Sequence, residues 1–177
     1  MQSIIPFVQS FLTIHPHIVY LVIFLGIFFA ATFPFAFFWY GEFIFIPASI
    51  LVGLGILSIW WVLVSSIVGA FLGDMINYHL GYRYGRGFFC PNNRFLNPEM
   101  LKKGEIFFEK YGIWGVFLAK FIPFIPWTIS FLAGLHRMNL VFFIIVDIFS
   151  GVVIFGGIYG ILGGGVHFIG QLLNLIW

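Results

Sequence analysis

Four ionisable side chains lie inside stretches that are otherwise almost entirely apolar, and they are Glu42, Asp74, Lys120 and Asp147. A charge at the centre of a bilayer costs about 2.5–3.5 kcal/mol on insertion scales, so such residues are functional candidates by default. A carboxylate can accept a proton, and an ammonium can bind an anion or pair with a carboxylate. We therefore predict a charge network around a polar cavity. The alternative is a set of paired charges that only fix helix packing.

Two of these residues lie at a similar predicted depth. Asp74 lies seven residues before Gly81, about 10 Å along a helix, and Asp147 lies eight residues after Asn139. Both distances are counted from the same face of the membrane.

Other kinds of chemistry have no signature in this chain. The Gly-x-Ser-x-Gly, His-Glu-x-x-His and Walker motifs are missing. The single cysteine, Cys90, excludes an intramolecular disulfide, and the five histidines do not form a zinc-ligand cluster. We predict a protein that is not an enzyme, with no cofactor and no metal.

The elements that carry these residues must be membrane elements, because charge is scarce. Of the 177 residues, 62% are hydrophobic and 8% are charged, whereas a soluble domain has about 25% charged residues. The net charge of +2 gives no basic stripe for nucleic acid. The composition predicts an all-α integral membrane protein.

Three apolar stretches are long enough to cross a bilayer, and they run from about His17 to Phe33, Leu54 to Leu80, and Leu140 to Leu162. We predict a single membrane domain over residues 1–177. Its first half covers about 17–80, a polar connector 81–110, the second half 111–163 and a C-terminal tail 164–177. Gly163-Gly164-Gly165 is expected to be a flexible stop after the third span.

Two further apolar stretches contain prolines and are predicted to be re-entrant hairpins. They are Pro34–Gly53 and Gly112–Leu135, with breaks assigned to Pro47, Pro123 and Pro126. Glu42 lies beside the first break and Lys120 beside the second. Paired proline-interrupted segments are the best sequence indication of a transporter binding site.

The two stretches also resemble each other. Phe45-Ile-Pro-Ala-Ser-Ile50 is echoed by Phe124-Ile-Pro-Trp-Thr-Ile129, and a Gly-Leu pair follows in each case, at Gly53 and at Gly134. A duplicated unit is consistent with this match.

The connector fixes the predicted topology. It holds six cations, Arg83, Arg86, Arg94, Lys102, Lys103 and Lys110, so the positive-inside rule places it in the cytoplasm. If the N-terminus is cytoplasmic and the two hairpins enter from opposite faces, Arg137 also lies on the cytoplasmic side. Two hairpins that enter from opposite faces form an inverted repeat. Within the connector, Asn97, Pro98 and Glu99 predict the start of an amphipathic helix that ends near Gly112.

Three arginines lie at this cytoplasmic boundary, Arg83, Arg86 and Arg137. Their guanidinium groups match phosphate oxygens and could hold a lipid headgroup. Alternatively, these arginines only set the orientation of the protein in the membrane.

The order of several motifs resembles the DedA family of membrane proteins. Gly73-Asp74, Tyr78, Gly81 and Arg86 resemble its Gly-Asp-x-x-x-Tyr-x-x-Gly-x-x-x-x-Arg region. Tyr40-Gly41-Glu42 resembles its Pro-Gly-Glu hairpin tip. Lys120-Phe-Ile-Pro123, with the later Ala133-Gly134 and Arg137-Met138 pairs, is similar to its second hairpin. The resemblance covers about Phe28 to Gly165.

This resemblance implies a bacterial inner-membrane protein with two opposed re-entrant hairpins, in a superfamily that includes phospholipid scramblases. It implies that Glu42 matches the hairpin acid and Lys120 the first of two arginines. The second arginine falls at Pro126 and a further acid near Ala30, so half of the family's charged set is missing.

The resulting hypothesis is a transporter, flippase or scramblase for a phosphate-bearing lipid, either undecaprenyl phosphate or a phospholipid, with proton coupling as an option. Glu42 would be a protonatable gate, Lys120 the phosphate-binding cation and Arg137 its aid at the cytoplasmic entrance. Asp74 would pair with a cation or relay protons. We expect membrane lipids as partners and no nucleic acid. A homodimer is one option for the assembly. The alternatives are a non-transporting scaffold and a small ion or proton channel.

Overall fold

The computed structural model describes residues 16–32, 35, 41–85, 98–121 and 126–176. Within these residues the chain forms six α-helices and no strand. The helices are α1 Pro16–Ala31, α2 Glu42–Gly53, α3 Ile59–Tyr84, α4 Pro98–Ala119, α5 Pro126–Leu135 and α6 Leu140–Ile176.

Among the described helices, two are long and apolar enough to cross a membrane, over Ile59–Tyr84 and Leu140–Phe168. Their outer surfaces are apolar too, since Trp60 and Ile161 are 74% and 76% exposed. A contiguous apolar surface of this kind is expected where lipid rather than water surrounds the protein.

The two long helices, α3 and α6, pack side by side in opposite directions. Ser66 near the start of α3 contacts Tyr159 late in α6, with 2.8 Å between their hydroxyl oxygens. Tyr78 near the end of α3 lies against Phe143 early in α6, with ring centroids 4.8 Å apart.

The short helices α2 and α5 each pack on the long helix of the other half, and each runs parallel to it. Phe45 of α2 contacts Phe155 of α6, and Gly53 of α2 lies against Gly163 of α6. A Cβ atom on Gly53 would come within 2.6 Å of the Gly163 carbonyl oxygen. Since α3 and α6 are antiparallel, α2 and α5 point in opposite directions.

Helix α5 likewise runs parallel to α3, the long helix on which it packs. Asp74 accepts a hydrogen bond from Ser130, and Tyr78 lies against Gly134. A Cβ atom on Gly134 would overlap the Tyr78 carbonyl oxygen, and one on Gly81 would overlap the Phe131 carbonyl oxygen.

The two halves also end their short helices in the same way. Gly55 and Arg137 both have left-handed backbone, with φ of 73° and 53°. At each, the next amide bonds the carbonyl five residues back, Ile56 to Leu51 and Met138 to Ala133. This is the Schellman arrangement that closes a helix, and it supports the internal duplication.

The first apolar stretch departs from the prediction of a third span. Its helix α1 has 16 residues, about 24 Å, which is too short to cross the hydrocarbon core. It runs parallel to α3, because Tyr20 bonds the amide of Ser58 and the Ala31 carbonyl accepts from Asn77. A span from the cytoplasm to the outside would have been antiparallel to α3, so that part of the predicted topology is wrong.

Helix α1 is short because of the residues at which it ends. The Thr32 hydroxyl bonds back to the Phe28 carbonyl, and Pro34 follows two residues later, where a proline disfavours helix before it. The N-terminal fifteen residues lie outside the described part of the chain, so their cytoplasmic location stays a prediction.

Two other predicted features need correction. Pro47 was assigned to a hairpin break but lies inside α2, and the interruption comes earlier, between Ala31 and Glu42. The predicted tail and glycine stop at 163–165 instead continue α6 to Ile176. Close packing of Gly163 against Gly53 stabilises helix there despite the low helix propensity of glycine.

The second interruption falls where it was predicted. α4 ends at Ala119 and α5 begins at Pro126, whereas Pro123 lies outside the described residues. The connector helix starts at Pro98 as expected, and Gly112, with φ of 53°, separates it from a second helical segment that ends at Ala119.

Candidate functional site

The structure brings three of the predicted ionisable residues together at one buried point. The Lys120 ammonium lies 2.7 Å from Oδ2 of Asp74 and also contacts Oδ1 of Asp147. The Lys120 side chain is 7% exposed, and those of Asp74 and Asp147 are 4% and 1% exposed. The equal depth predicted for the two carboxylates is therefore what allows one ammonium to contact both.

Four helices position this cluster. Asp74 comes from α3, Asp147 from α6, Lys120 from the turn after α4, and Ser130 from α5. The Ser130 hydroxyl donates to Oδ1 of Asp74 at 2.6 Å. The cluster thus depends on both halves of the chain and on the interruption between α4 and α5.

The depth of the cluster follows from the helical rise. Asp74 lies ten residues before Tyr84, about 15 Å, and Asp147 lies seven residues after Leu140, about 10 Å. The cluster is therefore inside the two helices that are long enough to cross a membrane, closer to the end of α3 than to its start.

The charges in the cluster do not balance. With all three groups ionised there is one more negative than positive charge, in surroundings from which water is largely excluded. A buried pair is stable only when its remaining polar atoms are also satisfied. One proton on either carboxyl would make the cluster neutral.

Polar side chains next to the cluster tie α1 and α6 to α3. The Asn77 amide donates to the carbonyl of Ala31 at 2.7 Å, which satisfies an end group of α1. The Tyr78 hydroxyl donates to the carbonyl of Met138 just before α6. Asn77 and Tyr78 lie one turn from Asp74, so they share its face of the helix.

The described residues at the corresponding position of the first half are uncharged. There Ser66 and Tyr159 share a buried hydrogen bond. A groove of about 450 Å³ lies beyond them, lined mainly by apolar residues and glycines and including Tyr159 and His167. The cavity is therefore separate from the charged cluster.

The leading pair from the sequence, Glu42 and Lys120, is only partly described. Glu42 is the first residue of α2, and its side chain lies outside the described part of the structure. Lys120 pairs with Asp74 and Asp147, which are the described carboxylates that contact it.

The boundary arginines gather at one end of the molecule. Arg83 is exposed in the last turn of α3. Arg137 is exposed at the end of α5, and its guanidinium lies 5.4 Å from the ring centroid of Tyr82. His136 beside it stacks on Phe108 of α4, so the connector helix reaches the same end. Arg86 lies outside the described residues.

Sequence reasoning missed two residues of the site, Ser130 and Asn77. Asn77 could have been found, because it lies three residues after Asp74 on the same helical face. Ser130 gave no signal, since single hydroxyls are common in apolar helices. Within the described residues, no group of three His, Cys, Asp or Glu side chains is arranged to hold a metal ion.

Comparison with known proteins identifies relatives of this chain. The family model described as the VTT domain matches residues 43–163. An uncharacterized membrane protein of Mycobacterium leprae is 34% identical over 77% of this chain and 63% of its own length. The protein DedA of Escherichia coli is 31% identical over 47% of this chain and 38% of its own length.

A third relative carries a functional name. Undecaprenyl phosphate transporter A of Staphylococcus aureus is 30% identical over 46% of this chain and 45% of its own length. The chain thus spans between about two fifths and two thirds of the length of these three relatives. No solved structure matches it.

Proposed function

Because the chain belongs to the DedA family of VTT-domain membrane proteins, we propose that it transports a phosphate-bearing lipid across the bacterial cytoplasmic membrane. The observation that carries this proposal is the buried ammonium of Lys120 between the carboxylates of Asp74 and Asp147. Undecaprenyl phosphate is the first candidate, because one relative is named as its transporter. A phospholipid has the same headgroup chemistry and is the second.

Lys120 is the proposed phosphate-binding group. Lysine binds phosphate as a point charge, without the two-pronged geometry of arginine. A lipid phosphate that crosses the bilayer needs a cation inside it, since an unpaired anion in the hydrocarbon core is costly. Lys120 is a cation that the described helices hold at this depth.

The two carboxylates make this cation switchable. While both are ionised they retain the ammonium, and a phosphate must compete with them. A proton on Asp74 or Asp147 removes one competitor. The cluster can therefore couple proton uptake to phosphate binding, which supports proton-coupled transport.

The packing of the short helices supports hairpins that enter from opposite faces. α2 and α5 point in opposite directions, and each packs on the long helix of the other half. The first hairpin then comprises α1 and α2 together, because α1 runs parallel to α3. Interrupted helices that meet inside the membrane are the usual site of substrate binding in transporters with inverted repeats.

The end of the molecule that carries Arg83 and Arg137 is the proposed cytoplasmic entrance. Exposed Lys102 and Lys103 of the connector helix add to its positive charge. Arg137 would bind the headgroup first, and Arg83 and Arg86 would attract it. Glu42, the first residue of α2, would be a protonatable gate in the first half of the chain.

Purified protein in liposomes tests this function directly. We expect a labelled polyprenyl phosphate to cross faster than in empty vesicles, and we expect Lys120→Ala and Glu42→Gln to slow it. Lys120→Arg serves as the matched control because it keeps the positive charge. Wild-type rates in both variants would show that the assigned transport roles are wrong.

The same liposomes separate the two alternatives. A scaffold protein would accelerate neither lipid nor ion movement. A channel would conduct protons or ions without moving lipid. Either result would replace the transport proposal.

A further inference from the structure

One buried hydroxyl in the second half has no hydrogen-bond partner. Thr128 of α5 is 4% exposed, and its Oγ1 contacts no donor or acceptor among the described residues. A buried polar atom without a partner carries an uncompensated loss of hydration. Such atoms are uncommon in native structures, and a functional role is one reason for them to persist.

Other buried hydroxyls in this chain show what Thr128 lacks. Four of them donate to the carbonyl four residues earlier in their own helix, and these are Thr32, Ser49, Ser66 and Ser150. Thr128 is the third residue of α5. Its own helix therefore has no carbonyl four residues before it.

Thr128 lies at the end of the helix that attracts anions. The first turn of α5 begins with Pro126, which has no N–H, and the amides of residues 127–129 have no acceptor within the helix. These amides form the positive end of the helix dipole. Since side chains tilt toward the helix N-terminus, the Thr128 hydroxyl lies over this turn.

The same turn is next to the charge cluster. Ser130, two residues later, bonds Oδ1 of Asp74, while the Lys120 ammonium contacts Oδ2 of that carboxylate. Thr128 and Ser130 are two residues apart on α5 and therefore lie on different faces of the helix, but the hydroxyl, the amides of the first turn and the ammonium all come from residues 120–129. Helix N-termini with neighbouring hydroxyls are established phosphate sites in proteins.

We infer that the first turn of α5 and the Thr128 hydroxyl bind a phosphate oxygen of the lipid headgroup. This inference rests on the proposed function and names a neutral partner for the same site. Lys120 supplies the charge once a carboxylate is protonated. Thr128 and the amides supply fixed donors that need no change of protonation.

The test uses Thr128→Val, which keeps the shape of the side chain and removes the hydroxyl. Binding of farnesyl phosphate and of farnesol to the detergent-purified chain is measured by titration calorimetry. We expect Thr128→Val to weaken farnesyl phosphate binding about tenfold, the scale of one hydrogen bond to a charged group, and to leave farnesol binding unchanged. Thr128→Ser keeps a hydroxyl and should bind as the wild type does.

Folding does not confuse this test, because removal of an unpaired buried hydroxyl is expected to leave the melting temperature equal or higher. Ser150→Ala, which removes a hydroxyl bonded within its own helix, is the control and should not change phosphate binding. Farnesyl phosphate binding to Thr128→Val at wild-type affinity would overturn the inference and leave the role of Lys120 intact. A wild-type protein that binds farnesol as tightly as farnesyl phosphate would contradict the proposed function as well.

Discussion

The ammonium of Lys120 is shared by two carboxylates, so the three members of the cluster are not equivalent. Removal of Lys120 leaves Asp74 and Asp147 buried without a cation, and loss of one partner of a buried pair costs about 3–5 kcal/mol. Removal of one carboxylate charge leaves a balanced pair. The aspartates are therefore the better positions for testing function without unfolding the protein.

Asp147→Asn should make transport less dependent on pH. In the wild type, transport should rise as the pH falls, by up to about tenfold per pH unit, because protonation of a carboxyl releases Lys120. The asparagine permanently imitates the protonated carboxyl, so the rate should be high and nearly constant. Lipid translocation measured over a series of pH values gives the profile. A profile parallel to that of the wild type would contradict this role, and Ser150→Ala, one turn away, is the control.

Arg137→Gly should reduce transport without loss of stability. Arg137 has a φ of 53°, a conformation that favours glycine, so the substitution relieves about 1 kcal/mol of strain. This offsets the lost contact with Tyr82, about 0.5–1 kcal/mol. Translocation should fall about tenfold through the lost phosphate contact, with an unchanged melting temperature. An unchanged rate would limit Arg137 to setting orientation, and Lys102→Gln is the control for a general loss of positive charge.

At this scale the sequence predicted which residues carry charge inside the membrane, and their helical spacing predicted that Asp74 and Asp147 share a depth. It did not predict that both contact Lys120, because that depends on how α4 and α6 pack. The hydroxyl of Ser130 was invisible for the same reason. Long-range contacts of short polar side chains leave no periodic signal in an apolar stretch.

The helices α3 and α5 meet backbone to backbone, and this contact sets the position of Asp74 against Ser130. Gly81 and Gly134 face each other's helices so closely that neither has room for a Cβ atom. Small residues allow such approach between membrane helices. The contact is reciprocal, so both glycines are required.

Gly81→Val should therefore destabilise the fold by about 3 kcal/mol or more, beyond the common range for overpacking, because the obstacle is backbone rather than a flexible side chain. Gly157→Ala is the matched control, since a Cβ atom there meets no other atom within 4 Å and alanine favours helix by about 0.5–1 kcal/mol. Thermal unfolding in detergent compares the two. Equal melting temperatures for both variants would show that the α3–α5 contact is looser than described.

Element boundaries were predictable where a residue acts locally. Pro98 begins α4 and Gly112 interrupts it, as their backbone preferences indicate. Pro47 and Gly163 behave differently from their local preferences, because contacts of α2 with α6 keep both in helix. The parallel course of α1 and α3 depends on Asn77 and Tyr20, which bond across helices, and the sequence gives no sign of this pairing.

In the described residues, each half places its short helix on the long helix of the other half, yet the chemistry of the two halves differs. The cluster joins Lys120 and Asp147 of the second half to Asp74 of the first, whereas the described residues at the corresponding position form the Ser66–Tyr159 pair. A single charged cluster among the described residues is consistent with the absence of an acid near Ala30 and with the proline at Pro126 in place of a second arginine. The asymmetry predicts that headgroup binding is concentrated on the side of Arg137.

Cysteine labelling tests the revised topology in a Cys90→Ser background. His17, Ser58 and His136 are exposed and suitable for single substitution by cysteine. His17→Cys and Ser58→Cys should react with a membrane-impermeant reagent from outside the cell, and His136→Cys only from the cytoplasm. Labelling of His17→Cys from the cytoplasmic side would restore α1 as a separate span and contradict its parallel packing on α3.

The charged cluster is proposed to move a lipid phosphate rather than merely to stabilise the fold. The variant Lys120→Met, Asp74→Asn, Asp147→Asn leaves no charge to be unpaired, so it should fold, as replacement of buried ion pairs by neutral groups often does. Translocation of a polyprenyl phosphate in liposomes is the measurement. We expect a folded protein whose translocation rate equals that of empty vesicles. A folded triple variant that moves the lipid at the wild-type rate would contradict the proposal.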